Sequence, residues 1–453
     1  MSELVINKKY LNRKLAKLAI PIAIQGVVSA TLGMVDNLMV GFLGETELAA
    51  VGVGSQIYTI HFMLLFGLIG GSATFMAQFY GAGDRENIRK VVGLDSTILF
   101  GVAIVFFLGV HLTMDSILGF YTQDPAVKEM ATSYVRICSV NFFLLAFSAP
   151  MEMAFKASQQ TRVPMITSSV VFTTNTLLNF ILIFGKFGAP KLGVAGAAIA
   201  TVVARFLDVV LIMSFAWGKN NFFKGTIKSY FGWPKDLVKR LIINATPTTV
   251  NELMWSLGQS MYVAAFNRIG TTEYAAFQAA NTISNIFSFA GFSVGDATLI
   301  MVGEKLGEGK KEETWEISKH LLKIGTTIAI ILGAFLMAVS WPLAHLFKLT
   351  PLGQLYTFKV LLVIGAFLPL HLHNGIHVTG TLRGGGDTKF AMLAEIFCVW
   401  FVAVPLAFIS AMVWKVPIHW AVAIVRMEEV TKFFILTKRY LSKKWMNVMI
   451  KGL

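Results

Sequence analysis

Long apolar segments, separated by short polar connections, recur through almost the whole chain. Each spans about 20 residues or more, the length that a helix needs to cross the hydrocarbon core of a bilayer. The twelve predicted segments are 18–42, 48–79, 91–115, 128–152, 163–185, 193–217, 241–267, 274–303, 320–342, 354–380, 390–414 and 418–437. We therefore expect an all-α membrane protein with twelve transmembrane helices.

The composition excludes several other classes of protein. Of the 453 residues, 55% are hydrophobic and only 14% are charged, whereas soluble domains carry about 25% charged residues. Cys138 and Cys398 both lie inside apolar segments, which argues against a secreted disulfide scaffold. The net charge of +14 comes from short basic clusters between the apolar segments. Nucleic acid is therefore not an expected partner.

The basic residues also predict an orientation, because Lys and Arg accumulate in cytoplasmic connections. With the amino terminus inside, 29 of the 39 Lys and Arg residues fall on the cytoplasmic side, counting Lys432 with the carboxyl end. Seven fall outside, and Arg136, Arg205 and Arg426 lie within spans. We expect a multi-pass protein of the plasma membrane with both termini in the cytoplasm.

The chain contains an internal duplication with an offset of about 226 residues. The matching pairs include Pro21 and Pro247, Gly44 and Gly270, Glu47 and Glu273, and Gly81 and Gly307. Because the first apolar segment has an equivalent in the second half, we do not expect it to be a cleaved signal peptide. The duplication predicts a six-helix lobe over 1–218, a cytoplasmic linker over 219–240 and a second six-helix lobe over 241–453. Two such lobes, related by an axis along the membrane normal, would enclose a central cavity.

Four segments carry a family resemblance. They are residues 35–41 (VDNLMVG), 77–84 (AQFYGAGD), 192–198 (LGVAGAA) and 383–389 (RGGGDTK). Because these segments occur in that order and at that spacing, the chain resembles the multidrug and toxic compound extrusion (MATE) transporters along essentially its whole length. The resemblance implies an ion-coupled antiporter that expels amphiphilic, mainly cationic compounds and is not an enzyme.

One carboxylate and several neutral polar groups are predicted at one level of the amino-terminal half. Counting along the helices places Asp36 about 10 Å below the outer surface, with Gln56, Asn175, Asn179 and Thr201 about 10–16 Å deep. A carboxyl group in hydrocarbon can bind a proton near neutral pH or pair with a cation. Proton, Na⁺ and cationic compound would then compete for Asp36. The alternative is that Asp36 only forms a hydrogen bond between helices.

The resemblance implies roles for two residues, and at one position this chain departs from the family pattern. Asp36 lies where the family has an aspartate assigned to cation or proton coupling. Pro21 matches a proline at which the first span is thought to bend, which implies a gating role; the alternative is a static kink. Some members have an aspartate where this chain has Asn179. The coupling ion therefore stays open between Na⁺ and H⁺, and no other cofactor is expected.

Glu252 is the second candidate for coupling, in the carboxyl-terminal half. It lies near mid-membrane, about 16 Å from the inner end of span 7. Some family members place an acidic residue in this span, and the alternative is a buried structural ion pair. We expect two other pairs, Arg205 with Asp208 and Arg426 with Glu429, to neutralise each other within their own helices.

The remaining acidic residues of the spans receive no assigned role. Five are expected near cytoplasmic helix ends within reach of water, while Glu428, closer to mid-membrane, stays undecided. The five are Asp95, Glu152, Asp296, Glu304 and Glu395. A metal site is conceivable at His371, His373 and His377. Zinc usually needs three or four ligands, however, and no carboxylate or Cys lies nearby in the sequence. We therefore prefer the interpretation that the three histidines form a polar face of span 10.

Two competing functions are weighed against antiport. A flippase for lipid-linked oligosaccharides, from the same broad fold group, would need a cavity rich in Arg and Lys to hold diphosphate. An intramembrane enzyme would need a nucleophile and base, or a full set of metal ligands, at one depth. The sequence favours neither and lacks a phosphate-binding loop for ATP. The expected partners are small organic cations, the coupling ion and membrane lipids, with the chain acting as a monomer.

Overall fold

Helices account for all the regular structure in the part of the chain that the computed structural model describes, residues 7–218 and 223–453. The twelve long helices are α1 (Lys8–Gly41), α2 (Glu45–Gly81), α3 (Arg85–Tyr121), α4 (Pro125–Ala157), α5 (Arg162–Phe184), α6 (Gly193–Ala216), α7 (Lys235–Asn267), α8 (Thr271–Gly307), α9 (Lys311–Ala344), α10 (Pro351–Leu382), α11 (Thr388–Val413) and α12 (Ile418–Val425 continued by Met427–Leu441). Each contains one predicted apolar segment or nearly all of it. The prediction of an all-α protein with twelve transmembrane helices is therefore confirmed.

Ten of these helices are long and apolar enough to cross a membrane by length and composition alone. The other two are α7 and α12, which carry more polar residues. Helix α7 begins with a charged turn and has Asn251 and Glu252 near its centre. Helix α12 carries Glu428, Glu429 and Lys432 in its second part. Their burial against neighbouring helices compensates for this polarity, because polar groups in a membrane face the bundle interior.

Helix capping and tight turns set where the helices begin. The side chain of Asn7 accepts a hydrogen bond from the backbone N–H of Tyr10, at 3.0 Å, and caps α1. Asp84 caps α3 in the same way through the N–H of Asn87, at 3.0 Å. Such caps satisfy backbone donors that a helix start leaves free. The α2–α3 turn contains Gly83 at φ +74°, a conformation that favours glycine.

The helix starts repeat the offset seen in the sequence. Helices α2 and α8, α3 and α9, α4 and α10, and α5 and α11 each begin 226 positions apart. The two connections before α2 and α8 also match, since Gly44 and Gly270 precede them with extended backbones. The chain is therefore built from two equivalent sets of six helices, which we call the amino-terminal and carboxyl-terminal halves.

The halves are joined at the end of the bundle where α1 begins, which we call the termini side; the other end is the opposite side. Near this end α2 and α8 cross so closely that a Cβ added at Gly81 would clash with the carbonyl of Glu304. The equivalent Cβ at Gly307 would clash with the carbonyl of Gln78. Adding 226 to Gly81 and Gln78 gives Gly307 and Glu304, so each contact is the repeat equivalent of the other. The crossing is therefore locally symmetric.

Hydrogen bonds extend this contact from the crossing towards the middle of α2. The Thr248 hydroxyl on α7 donates to the carbonyl of Gly67 at 2.7 Å. The Asn244 side chain donates to the carbonyl of Gly71 at 2.9 Å. A large apolar cluster with members from both halves fills the space around them, including Leu15, Phe75, Phe79, Leu241 and Ile300. The two halves are therefore closed against each other on the termini side.

The predicted linker lies only in part within the described residues. Residues 219–222 fall outside them. After them, the Tyr230 hydroxyl donates to the carbonyl of Phe223 at 2.8 Å, and the Tyr230 backbone packs on Gly93 of α3. Helix α7 begins at Lys235, so the last residues of the predicted linker are helical. The lobe boundaries at 218 and 240 remain a prediction.

Alanine at Gly81 or Gly307 is expected to destabilise the closed crossing, because the added methyl group meets the backbone of the other half. Overpacking of this kind typically costs about 1–3 kcal/mol. Gly101→Ala on α3, where nothing lies within 4 Å of the added Cβ, is the matched control. Thermal unfolding in detergent should show a lower transition temperature for Gly81→Ala and Gly307→Ala than for the control. Equal transition temperatures for the three variants would contradict the described crossing.

Candidate functional site

A chain of hydrogen bonds links three helices of the amino-terminal half. The Asn179 amide on α5 donates to Oδ1 of Asp36 on α1. The same amide donates to Oδ1 of Asn175 at 3.0 Å, since the two asparagines lie one turn apart. Asn175 in turn donates to the hydroxyl of Thr201 on α6, at 3.3 Å. The structure thus brings together four of the five residues that the sequence predicts at one level.

The surroundings of this cluster differ sharply between its members. Asn175 and Asn179 are fully buried, while Asp36 is half-buried, five residues before the end of α1 on the opposite side. Thr201 is fixed by donating to the carbonyl of Ala197 at 3.0 Å. Among the described residues no Lys, Arg or His forms an ion pair with Asp36. Its partner is a neutral amide, which leaves the carboxylate charge uncompensated.

One oxygen in this cluster has no partner. Oδ1 of Asn179 is buried and accepts no hydrogen bond from any described residue. It belongs to the same side chain that donates to Asp36. Carboxylate and amide oxygens are ligands that hard cations prefer. The arrangement can therefore hold a proton on Asp36, or place a carboxylate and an amide oxygen near one cation.

Two further predicted residues lie apart from this chain. Gln56 is exposed on α2 and takes no part in the hydrogen bonds described above. Pro21 is buried inside α1, between the termini-side contacts and Asp36, and Pro247 occupies the equivalent place in α7. The supporting role of Gln56 and the gating role of Pro21 remain predictions.

Glu252 has a cationic partner, unlike Asp36. Nη2 of Arg383, just after α10, donates to Oε1 of Glu252 at 2.8 Å. The Arg383 carbonyl accepts from the Thr74 hydroxyl on α2 at 2.6 Å, and its guanidinium lies against Gly70 of the same helix. The ion pair is largely buried and lies at the contact between the halves. The coupling role of Glu252 remains a prediction, as does the structural alternative.

A second group of buried charges surrounds Glu429 of α12. Its carboxylate binds Nδ1 of His371 at 2.6 Å and accepts from the Asn374 amide at 2.8 Å. Lys432 lies 3.9 Å from it. The prediction that Arg426 and Glu429 pair within their helix is wrong, because α10 supplies Glu429 with closer partners. Lys432, counted above with the carboxyl end, is buried among these carboxylates.

Two more carboxylates complete this group. Glu395 accepts from the Asn251 amide at 2.7 Å and lies 3.5 Å from Lys432. Glu428 accepts from the Tyr262 hydroxyl at 3.2 Å. Glu395 thus has partners on α7 and α12, and the expectation that water also reaches it remains a prediction. The spacing of acid and base in α12 was visible in the sequence, but the partners on α7, α10 and α11 were not.

The amino-terminal half has simpler charge pairs. Arg205 and Asp208 form the predicted pair within α6, at 3.1 Å, which confirms that prediction. Glu152 accepts from the Gln25 amide at 3.3 Å. Asp95 is fully buried and accepts from the Ser72 hydroxyl at 2.7 Å. The expectation that water reaches Asp95 is therefore wrong, because α2 covers it.

The three histidines of α10 have separate protein partners. His371 binds Glu429, His373 binds the Thr326 hydroxyl at 2.8 Å, and His377 lies 3.2 Å from the Thr381 hydroxyl. No group of three His, Cys, Asp or Glu residues that could hold a metal ion occurs among the described residues. The polar-face interpretation of these histidines fits these contacts.

Removing Arg383 alone is expected to destabilise the protein more than removing the whole ion pair. Arg383→Met leaves the Glu252 carboxylate buried and unpaired, which costs about 3–5 kcal/mol. In the double variant Glu252→Gln/Arg383→Met the uncompensated charge is gone, so part of the loss should be recovered. Thermal unfolding of the four members of this cycle measures the effect. A double variant as unstable as the sum of the two single variants would contradict the pairing.

Comparison with known proteins agrees with this architecture. The MatE family model matches residues 21–181 and 247–409, more than two thirds of the chain. The chain is 27% identical to the probable multidrug resistance protein YoeA of Bacillus subtilis (strain 168) over 410 residues, covering 88% of this chain and 86% of the relative. It is 24% identical to the probable multidrug resistance protein NorM of Thermotoga maritima over 410 residues, covering 88% and 85%.

A solved structure shows the same fold. It is described as the outward-facing conformation of a multidrug resistance MATE family transporter of the MOP superfamily. The TM-score is 0.86 at 20% identity, with 96% of this chain and 97% of that chain covered. The two matched blocks of the family model also correspond to the two halves described above. The chain belongs to the MATE family of multidrug efflux transporters, and so is a membrane transporter and not an enzyme.

Proposed function

We propose that this protein is a secondary antiporter that exports amphiphilic, mainly cationic compounds in exchange for Na⁺ or H⁺. The observation that carries the proposal is Asp36, a half-buried carboxylate whose close partner is the neutral Asn179 amide. The names of the relatives, multidrug resistance proteins, support the class of cargo. The closed termini side supports alternating access of one site to the two sides of the membrane.

Competition for one negative charge is sufficient to couple the two fluxes. A proton, a sodium ion or a cationic compound each neutralises Asp36, and the site has one such charge. Whichever cation binds excludes the others, so loading from one side requires release to the other. The unpartnered oxygen of Asn179 offers a second ligand for a bare ion without adding charge.

The charge pairs argue against the flippase alternative. A diphosphate group would need unpaired basic side chains along the cleft. Arg205, Arg383 and Lys432 are instead bound to carboxylates. Of the other two span arginines, Arg136 is exposed, and Arg426 alone does not make a basic cavity. The proposal therefore keeps organic cations as cargo.

The proposal includes an orientation and an assembly state. The distribution of Lys and Arg supports a plasma-membrane protein with both termini in the cytoplasm, so that the closed termini side faces the cytoplasm. The site near Asp36 then lies towards the outside. We also propose that each chain transports as a monomer, because the cleft lies between two halves of the same chain.

Asp36→Asn is expected to abolish export of ethidium or a fluoroquinolone from energised cells. The amide keeps the shape of the side chain but removes the charge for which driver and cargo compete. Glu86→Gln, which neutralises an exposed acid at the start of α3, is the matched control and should export normally. Both variants should reach the membrane in equal amounts. Full export by Asp36→Asn would refute the assignment.

Separately imposed gradients identify the coupling ion. In vesicles that contain the purified protein, a sodium gradient or a pH gradient alone should drive uptake of the dye, and the other should not. The effective gradient should lose its effect in Asp36→Asn. Uptake driven by neither gradient would rule out secondary antiport by this chain.

A further inference from the structure

Residues 442–453, which we call the tail segment, follow α12 and fold back onto the termini side. Trp445 is fully buried, and its indole N–H donates to the carbonyl of Tyr440 at 3.0 Å. The N–H of Asn447 donates to the carbonyl of Gly385 at 3.0 Å. An added Cβ at Gly385 would clash with the Trp445 backbone, so the two segments are in close contact. These contacts attach the tail segment to the carboxyl-terminal half.

The tail segment also binds the amino-terminal half through Gln78, near the end of α2. This side chain is fully buried and is bound by the tail at both of its polar atoms. Its Nε2 donates to the carbonyl of Asn447 at 3.0 Å, and its Oε1 accepts from the N–H of Met449 at 2.7 Å. Two backbone groups of the tail segment therefore hold one side chain of the other half.

Arg240 of α7 holds the tail segment in this position. Its Nη1 donates to the carbonyls of Met449, at 3.1 Å, and Lys451, at 2.7 Å. Bonds from a charged donor are stronger than neutral ones. The tail segment thus lies between Arg240 on one half and Gln78 on the other.

The duplication shows what the tail segment replaces. Under the 226-residue offset, Lys14 corresponds to Arg240 and Glu304 corresponds to Gln78. On one side of the crossing Lys14 and Glu304 form a direct ion pair between the halves, at 2.6 Å. On the other side Gln78 carries an amide, which also reaches the carbonyl of Gly384 at 3.4 Å. Among the described residues it forms no direct bond with Arg240. The backbone of the tail segment bridges the two instead.

We propose that the tail segment is a clamp between the halves, which stabilises the state closed on the termini side and leaves Gln78 when that side opens. The proposal requires only that the halves separate there, whatever the cargo. Two neutral hydrogen bonds favour the closed state by roughly five- to a hundredfold. Loss of either bond should therefore raise the open population measurably without changing the cation site near Asp36.

Distances between spin labels on the two halves test the clamp. Glu86 and Glu312 are exposed, lie at the starts of α3 and α9, and correspond under the offset. Labels on Glu86→Cys and Glu312→Cys, in a full-length chain with Cys138→Ala and Cys398→Ala, report the separation on the termini side. Gln78→Ala should raise the long-distance population at least fivefold. Lys444→Ala, on an exposed tail residue, should leave the distribution unchanged.

Met449→Pro is a second variant that weakens the contact between the tail segment and Gln78. It removes the N–H that donates to Gln78 while leaving α2 intact, so it remains informative if Gln78→Ala fails to fold. Because it removes one of the two bonds, it should raise the long-distance population by about twofold or more. Unchanged distances in the folded variants would overturn the clamp. Because the readout needs no substrate, this result would not bear on antiport, and a failure of Asp36→Asn to stop export would not bear on the clamp.

Discussion

A charge inside the hydrocarbon region is tolerated only where another group neutralises or solvates it. Most of the ionic side chains in the helices described above obey this rule through a direct partner. Arg205 binds Asp208, Arg383 binds Glu252, and Lys432 lies between carboxylates. Three carboxylates have neutral close partners instead: Asp95 a hydroxyl, and Glu152 and Asp36 an amide. Asp36 differs from the other two in its place, because it lies near the end of α1 on the opposite side, in a cluster with Asn175, Asn179 and Thr201. The account of function depends on that difference.

Helix α1 connects the two features that a transporter of this kind needs. Lys14 near its start forms the ion pair that closes the halves, and Asp36 near its end lies in the proposed cation site. About 33 Å of helix separates the two residues. Pro21 lies between them, where the helix lacks one backbone hydrogen bond. A change in the cation site that altered the path of α1 would act directly on the closure.

The sequence alone predicted the helices well because their signal is local. The length of the apolar segments and the basic residues of the connections can be read from the sequence directly. So can the internal repeat, in which Gly44 and Gly81 correspond to Gly270 and Gly307. The link from Asp36 to Asn179 was also accessible, since depth can be counted from helix ends. Residue counting does not give the direction in which a side chain points, and Gln56, exposed on α2, takes no part in that chain of hydrogen bonds.

The partners of the buried charges could not be predicted in the same way. Glu429 binds His371 of another helix and not Arg426, three residues away in its own chain. Glu252 binds Arg383, whose position depends on the wide helical turns that end α10. Such pairings depend on the rotation and crossing of helices. The contact of Gln78 with residues beyond α12 likewise joins parts of the chain with no sequence signal between them.

The central claim is that driver and cargo exclude each other at Asp36. It is tested most directly by measuring the affinity of the purified protein for ethidium while Na⁺ and H⁺ concentrations are varied. The account predicts that one of these ions weakens ethidium binding competitively, and that Asp36→Asn removes this dependence. Competition that persists unchanged in Asp36→Asn, or ethidium binding that neither ion affects in the unsubstituted protein, would contradict it.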